Sequence, residues 1–74
     1  MTGMLWHDPG SDTLPAKIAR AAEYYRRKYG HPATVCFVHP SEIRPGDSDQ
    51  AAGLTVKPWK AIQPGHFYLG IEGD

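Results

Sequence analysis

From Leu14 to Tyr29 apolar side chains return every three or four positions, at Leu14, Ile18, Ala21, Ala22, Tyr25 and Tyr29. That spacing puts them on one stripe of an α-helix. Its ends are marked by the flanking residues. Ser11, Asp12 and Thr13 offer side-chain oxygens to the first unpaired amides, and Pro15 suits a first turn that has no use for its missing N–H. Gly30, followed by His31 and Pro32, stops the helix, because glycine can take the left-handed conformation that closes the last turn.

The pattern then changes period. Ala33 to Val38 has a centre, Val35-Cys36-Phe37-Val38, that is apolar at every position, the signature of a strand buried on both faces. Gly53 to Lys57 alternates Leu54 and Val56 with Thr55 and Lys57, and His66 to Ile71 alternates Phe67, Leu69 and Ile71 with His66, Tyr68 and Gly70. Pro64-Gly65 is a turn signal between these two, which predicts that they form a hairpin. Met4 to His7 reads as a short first strand. Pro58 predicts a strand end or a sheet edge, since it donates no ladder bond. Ser41 to Ala52 has no apolar period and several turn formers, which predicts a mobile surface loop. The fold class expected is α/β (α+β): two layers, one amphipathic helix on a small mixed sheet of three to four strands, in the order β-α-β-β-β. The first two strands would be parallel, joined by the helix as a right-handed crossover. The whole chain, 1–74, reads as one domain.

One helix can cover one face of such a sheet, and Phe67, Leu69, Ile71, Leu54 and Val56 form the natural face for it. The opposite face would carry Tyr68, one pair from the Val35 to Val38 run, Trp59, and one of Leu5 or Trp6. An exposed apolar and aromatic patch of that kind needs a cover or a ligand.

Size sharpens the point. Chains of 74 residues sit where a core alone stabilises little, so support from disulfides, metal or a partner is usual. Cys36 is the only cysteine, so no disulfide forms within the chain and a thiolate-rich zinc site lacks its pair. A second copy is the remaining support, and a homodimer is expected. Eight basic and eight acidic residues cancel, leaving no overall field to attract nucleic acid or a membrane. Lys17, Arg20, Arg26, Arg27 and Lys28 lie in the helix, while Asp8, Asp12, Asp47, Asp49, Glu72 and Asp74 lie in loops and termini. Met1 to Leu5 lacks the pattern of a signal peptide and no stretch has membrane-spanning length, which predicts a cytoplasmic protein with no membrane partner.

Candidate chemistry is confined to histidines and carboxylates. In a parallel pair, His7-Asp8 would end the first strand and His39 the second, with His66 opening an antiparallel third strand at the same edge and Glu42 within reach. His7, Asp8, His39, Glu42 and His66 could then ligate zinc, manganese or iron for hydrolysis, although no spacing is that of a known ligand pair. The alternative is that these are strand-end polar residues, with His31 and His39 placed before prolines for turn geometry. Cys36, mid-strand among apolar residues, reads as inert packing. Ser41 between His39 and Glu42 resembles a nucleophile, base and acid only along the chain, where neighbours point apart. Glycines never cluster into a phosphate loop. The ranking is a homodimeric binding or protein-interaction module, with the question of an enzyme left open and leaning against one; then a metal-dependent hydrolase on the histidine rim; then a single-stranded nucleic-acid binder stacking bases on Trp59 and Tyr68.

Overall fold

The structure, a computed structural model, describes residues 3–72, so Asp74 of the acidic set lies outside the described residues. Its elements are β1 (Gly3–His7), α1 (Leu14–Tyr29), β2 (Val35–Val38), a 3₁₀ turn (Pro40–Glu42), β3 (Gln50–Ala51), β4 (Leu54–Pro58) and β5 (His66–Gly70). They form the expected α+β arrangement of one helix and a mixed sheet. The sheet has five strands rather than three or four, in the order β1-β5-β2-β4-β3.

The helix has the ends its sequence dictates. Thr13 is extended and its hydroxyl accepts the Ala16 N–H at 3.4 Å, while Gly30, at φ 79°, closes the last turn through an N–H bond to the Arg26 carbonyl at 2.9 Å. Ile18, Ala21 and Tyr25 are buried against Met4, Cys36, Val38, Leu54, Val56, Phe67 and Leu69. In register these sheet residues make two rows beneath the helix, Met4–Leu69–Cys36–Val56 and Trp6–Phe67–Val38–Pro58. Ile71 falls just past the end of β5 and is not in the helix-side core.

The predicted hairpin does not form. β4 and β5 both pair with β2, which lies between them, parallel to β4 and antiparallel to β5. A strand apolar at every position gains most in the middle of the sheet, where both edges are bonded and both faces covered. Val35, Cys36 and Val38 have no exposed surface. The 59–65 connection therefore crosses the end of β2 and spans two strand spacings, about 10 Å, where a tight turn would span one. For the same reason β1 and β2 run in the same direction without touching, because β5 is inserted between them.

The fifth strand comes from the segment expected to be a loop. Gln50 and Ala51 pair with Thr55 and Leu54 across the two-residue turn Ala52-Gly53, at φ 52° and 82°. Both central residues are left-handed, as a type I′ hairpin requires. Pro58 is tolerated because of alternation along β4. The Thr55 and Trp59 N–H groups donate to Thr34 and Val38 on the β2 side, whereas Val56 donates to Asp49 on the β3 side. Position 58 thus faces a side where β3 has already ended. Among the described residues no helix is long and apolar enough to cross a membrane.

Ala52 is the non-glycine residue with positive φ in the described chain, a conformation that costs an L-residue roughly 1 kcal/mol. Ala52→Asn, which tolerates this region, should raise stability by about 0.5–1 kcal/mol with an unchanged slope in urea unfolding. A lower midpoint would show that the turn is not the one described.

Candidate functional site

The sheet face away from α1 carries the row Leu5–Tyr68–Phe37–Lys57 in strand register, flanked by Gly3–Gly70–Val35–Thr55. β1 contributes Leu5 to this face and turns Trp6 toward the helix, where its ring meets Tyr24 at 5.1 Å. Tyr68 lies down over Gly3. A side chain at Gly3 would start 2.5 Å from the Tyr68 ring, so this close approach requires glycine. Trp59, reached after Pro58, sets its ring edge-to-face against Phe37 at 5.5 Å and Tyr68 at 6.3 Å. Leu5 and Trp59 remain 62% and 47% exposed.

The Trp59–Tyr68 contact divides the surface into two hollows. One, of about 310 Å³, is bounded by Phe37, Pro58, Trp59 and Tyr68. The other, of about 480 Å³, lies between Leu5, Trp59, Ile62, His66 and Tyr68. Charge near the aromatics is sparse: the Lys57 ammonium is paired with the Glu72 carboxylate, and Lys60 follows Trp59 in the chain.

The five rim residues are placed as follows. His7 and His66 are brought together, their rings stacked at 4.3 Å and 14° from parallel, as partners in the β1–β5 register. His66 Nδ1 is buried without a hydrogen-bond partner. The other three are engaged separately. His39 Nδ1 accepts the Ser41 N–H at 3.1 Å and lies 2.8 Å from the Ser41 hydroxyl, capping the 3₁₀ turn. Glu42 is held on the backbone instead, its Oε1 accepting the Gly65 N–H at 2.7 Å. Asp8 takes a two-pronged contact from Arg20, at 3.1 and 2.8 Å to one oxygen, and Arg20 also reaches Asp12 at 2.9 Å. Among the described residues no group of three or more histidine, cysteine or acidic side chains is placed to hold a metal ion. The His39–Ser41 contact, which the spacing alone argues against, forms because it caps a local turn.

The surroundings shift Asp8 and Cys36 in opposite directions from different causes. The Arg20 hydrogen bond holds the Asp8 carboxyl below the usual aspartate range, with the nearby Trp6 indole helping, although that buried Nε1 makes no full hydrogen bond. Burial alone pushes the Cys36 thiol up to about 12.

Leu5 and Phe37 are the members of the outer face that the sequence named only as one of two choices. Alternation along β1 and β2 was the available signal, and the deciding fact, which neighbour lies on each side, is tertiary. Comparison with family models, with curated proteins and with solved structures finds no match for the chain.

Cys36 should stay unreactive toward a thiol reagent at pH 8 in the native protein and react fully in denaturant, read as absorbance of the released thiolate. Rapid native labelling would mean that β2 opens. Asp8 makes a second prediction. Because its folded pKa is depressed, its contribution is present above the ordinary aspartate pKa, about 4, and is lost as pH falls through the lower folded value. Wild type should therefore lose stability faster than Asp8→Asn below about pH 4, with the two curves converging in acid. Parallel curves in urea titrations from pH 7 to 2.5 would show that the pair contributes nothing.

Proposed function

We propose that the protein is a small binding module that works as a homodimer, with its outer sheet face seated on the same face of a second copy. The observation that carries this reading is the uncovered row Leu5, Tyr68 and Phe37 with Trp59 beside it, two members of which are about half exposed or more. Aromatics around a depleted-charge centre are the composition of interface cores. A two-fold axis brings one patch against itself, which suits a self-complementary surface of ridges and two hollows. Zero net charge means that two copies meet no overall repulsion, and a 74-residue chain gains most from added burial.

Two other readings weigh less. A single-stranded nucleic acid needs cations beside the stacking rings. Lys57 is already paired with Glu72, which leaves Lys60 as the cation adjacent to Trp59. A metal-dependent hydrolase on His7, Asp8, His39, Glu42 and His66 would require these side chains to regroup, since Asp8 is engaged with Arg20, Glu42 with Gly65 and His39 with Ser41, and no three of them converge among the described residues.

Light scattering after size exclusion should give twice the chain mass at low micromolar concentration. Leu5→Glu and Trp59→Glu, both at exposed positions, should each weaken association by about tenfold or more while leaving the circular dichroism unchanged. A monomer at every concentration would overturn the dimer. Salt-sensitive binding of a fluorescent single-stranded oligonucleotide, lost in Trp59→Glu, would put nucleic acid there instead.

A further inference from the structure

We propose that the free edge of β1 takes up an extended peptide, antiparallel to β1, whose large apolar side chain enters a hollow between Trp6 and α1 and whose acidic residue two positions further on meets Arg27. The proposal rests on the reading as a binding module and not on the dimer, since it uses the edge of the sheet rather than its outer face.

The backbone supplies the first half of the site. β1 is first in the strand order and pairs with β5 alone. The Asp8 N–H donates to the Gly65 carbonyl across the continued β1–β5 register, and in an antiparallel pair such positions alternate with ones that face outward. Met4, Trp6 and Asp8 therefore turn their N–H and C=O groups toward β5. Leu5 and His7 turn theirs away from the sheet, where they form no hydrogen bond with any described residue. Outward groups of this kind recur about every 6.8 Å, the repeat of an extended chain. Sheet edges are ordinarily blunted by shortness, proline, lysine or a bulge. The opposite edge follows that rule, because β3 is two residues long and Pro58 stands beyond its end. β1 does not: its five residues carry no lysine or proline and pair without a bulge.

The second half lies beside that edge on the helix side. A hollow of about 470 Å³ opens between Trp6 and the flank of α1 formed by Ala19, Arg20, Glu23, Tyr24 and Arg27. Its floor is aromatic, since the Trp6 and Tyr24 rings meet at 5.1 Å, and Tyr24 is 52% exposed. A strand added to β1 turns every second side chain to this side, so the residue opposite Trp6 is delivered into the hollow. A free backbone ladder gives such a strand affinity, and a pocket for alternate side chains gives it specificity.

Charge sets the direction and the second side chain. Asp8 meets Arg20 and Trp6 meets Tyr24, so α1 runs antiparallel to β1 and Arg27 lies toward the Gly3 end. At the Asp8 end one cation, Arg20, is shared by two carboxylates, Asp8 and Asp12. At the other end the balance is reversed: Arg26 and Arg27 share Glu23, Lys28 follows, and the Arg27 side chain is 75% exposed. An acidic residue is favoured at that end and disfavoured at the first. Antiparallel addition, the more stable pairing, then places it two positions after the apolar residue, on the same side of the strand.

Fluorescence anisotropy of a labelled heptapeptide, Thr-Val-Thr-Phe-Thr-Glu-Thr with an amidated C-terminus, tests the edge in the wild-type protein. Binding should saturate. N-methylation of the third and fifth residues of the peptide, which removes N–H groups facing β1, should weaken it by about tenfold or more, as should alanine in place of its phenylalanine. Lysine in place of its glutamate should weaken it about fivefold. Tyr24→Ala and Arg27→Glu, both at exposed positions, should weaken binding of the parent peptide to similar extents with unchanged circular dichroism. Trp59→Glu should bind it as wild type does, so that loss of the dimer and loss of peptide binding are separate results. No saturable binding, equal binding of the N-methylated peptide, or equal binding by Tyr24→Ala would overturn the proposal. So would a Trp59→Glu protein that stays dimeric until Leu5→Pro, which removes one outward N–H, makes it a monomer; that result would give the edge to a second copy.

Discussion

The rest of the structure depends on the need of Val35–Val38 to be enclosed on four sides. Its backbone groups require a strand at each edge and its side chains require cover on both faces. β4 and β5 take the two edges, α1 covers the face with Cys36 and Val38, and the aromatic cluster lies over the face with Phe37. Placing β2 third of five pushes β1 and β3 outward and separates strands that are consecutive in the chain. The long crossings at 8–34 and 59–65 are consequences of that placement.

Those crossings meet at Gly65. Its N–H is held by Glu42, from the turn after β2, and its carbonyl by the Asp8 N–H, from the end of β1, at 2.7 and 2.8 Å. Gly65 sits at φ 86° behind Pro64, and the His66 N–H closes on the Gln63 carbonyl at 3.1 Å, as a type II turn with proline and glycine at its centre does. One residue, through the two peptide units that flank it, therefore ties three connections together at the strand ends. This explains why Glu42 and Asp8 lie near the histidines without joining them in one ligand set.

What could be read from the residues were the elements with a local cause. The helix ends where Thr13 and Gly30 place them, and β2, β4 and β5 are found from period and apolarity. The hairpin between β4 and β5 was misread because Pro64-Gly65 does make a tight turn, yet one embedded in a longer crossing; a turn signal says that the chain reverses, not which strand it joins next. β3 was hidden for the opposite reason. Its turn is Ala52-Gly53, lacking the Asn or Asp that usually marks a type I′ hairpin, and Gln50-Ala51 has no apolar alternation to show. At the candidate sites, the aromatic identities were visible but their juxtaposition depended on strand order. Lys17 gave a signal that a stripe drawn from apolar residues alone discards: it is three residues after Leu14 and four before Ala21, on the buried side of the helix.

The outer face is covered only in part because a single helix is spent on the opposite side: Trp59 packs on Phe37 and Tyr68, yet Leu5 and Trp59 stay open, so its deficit is apolar and is relieved by area. The cavity at the start of α1 is of the opposite character, with Asp12, Glu42 and Asp47 facing Lys17 and Arg44 across it. They also share a wall at one remove. Glu42 lines the cavity and holds Gly65, while Ile62 and Gln63 of the same crossing line the larger aromatic hollow. One carboxylate therefore borders both places: through Gly65 it holds the crossing whose residues line the hollow beside Trp59, and on its other side it forms part of the wall at the start of α1.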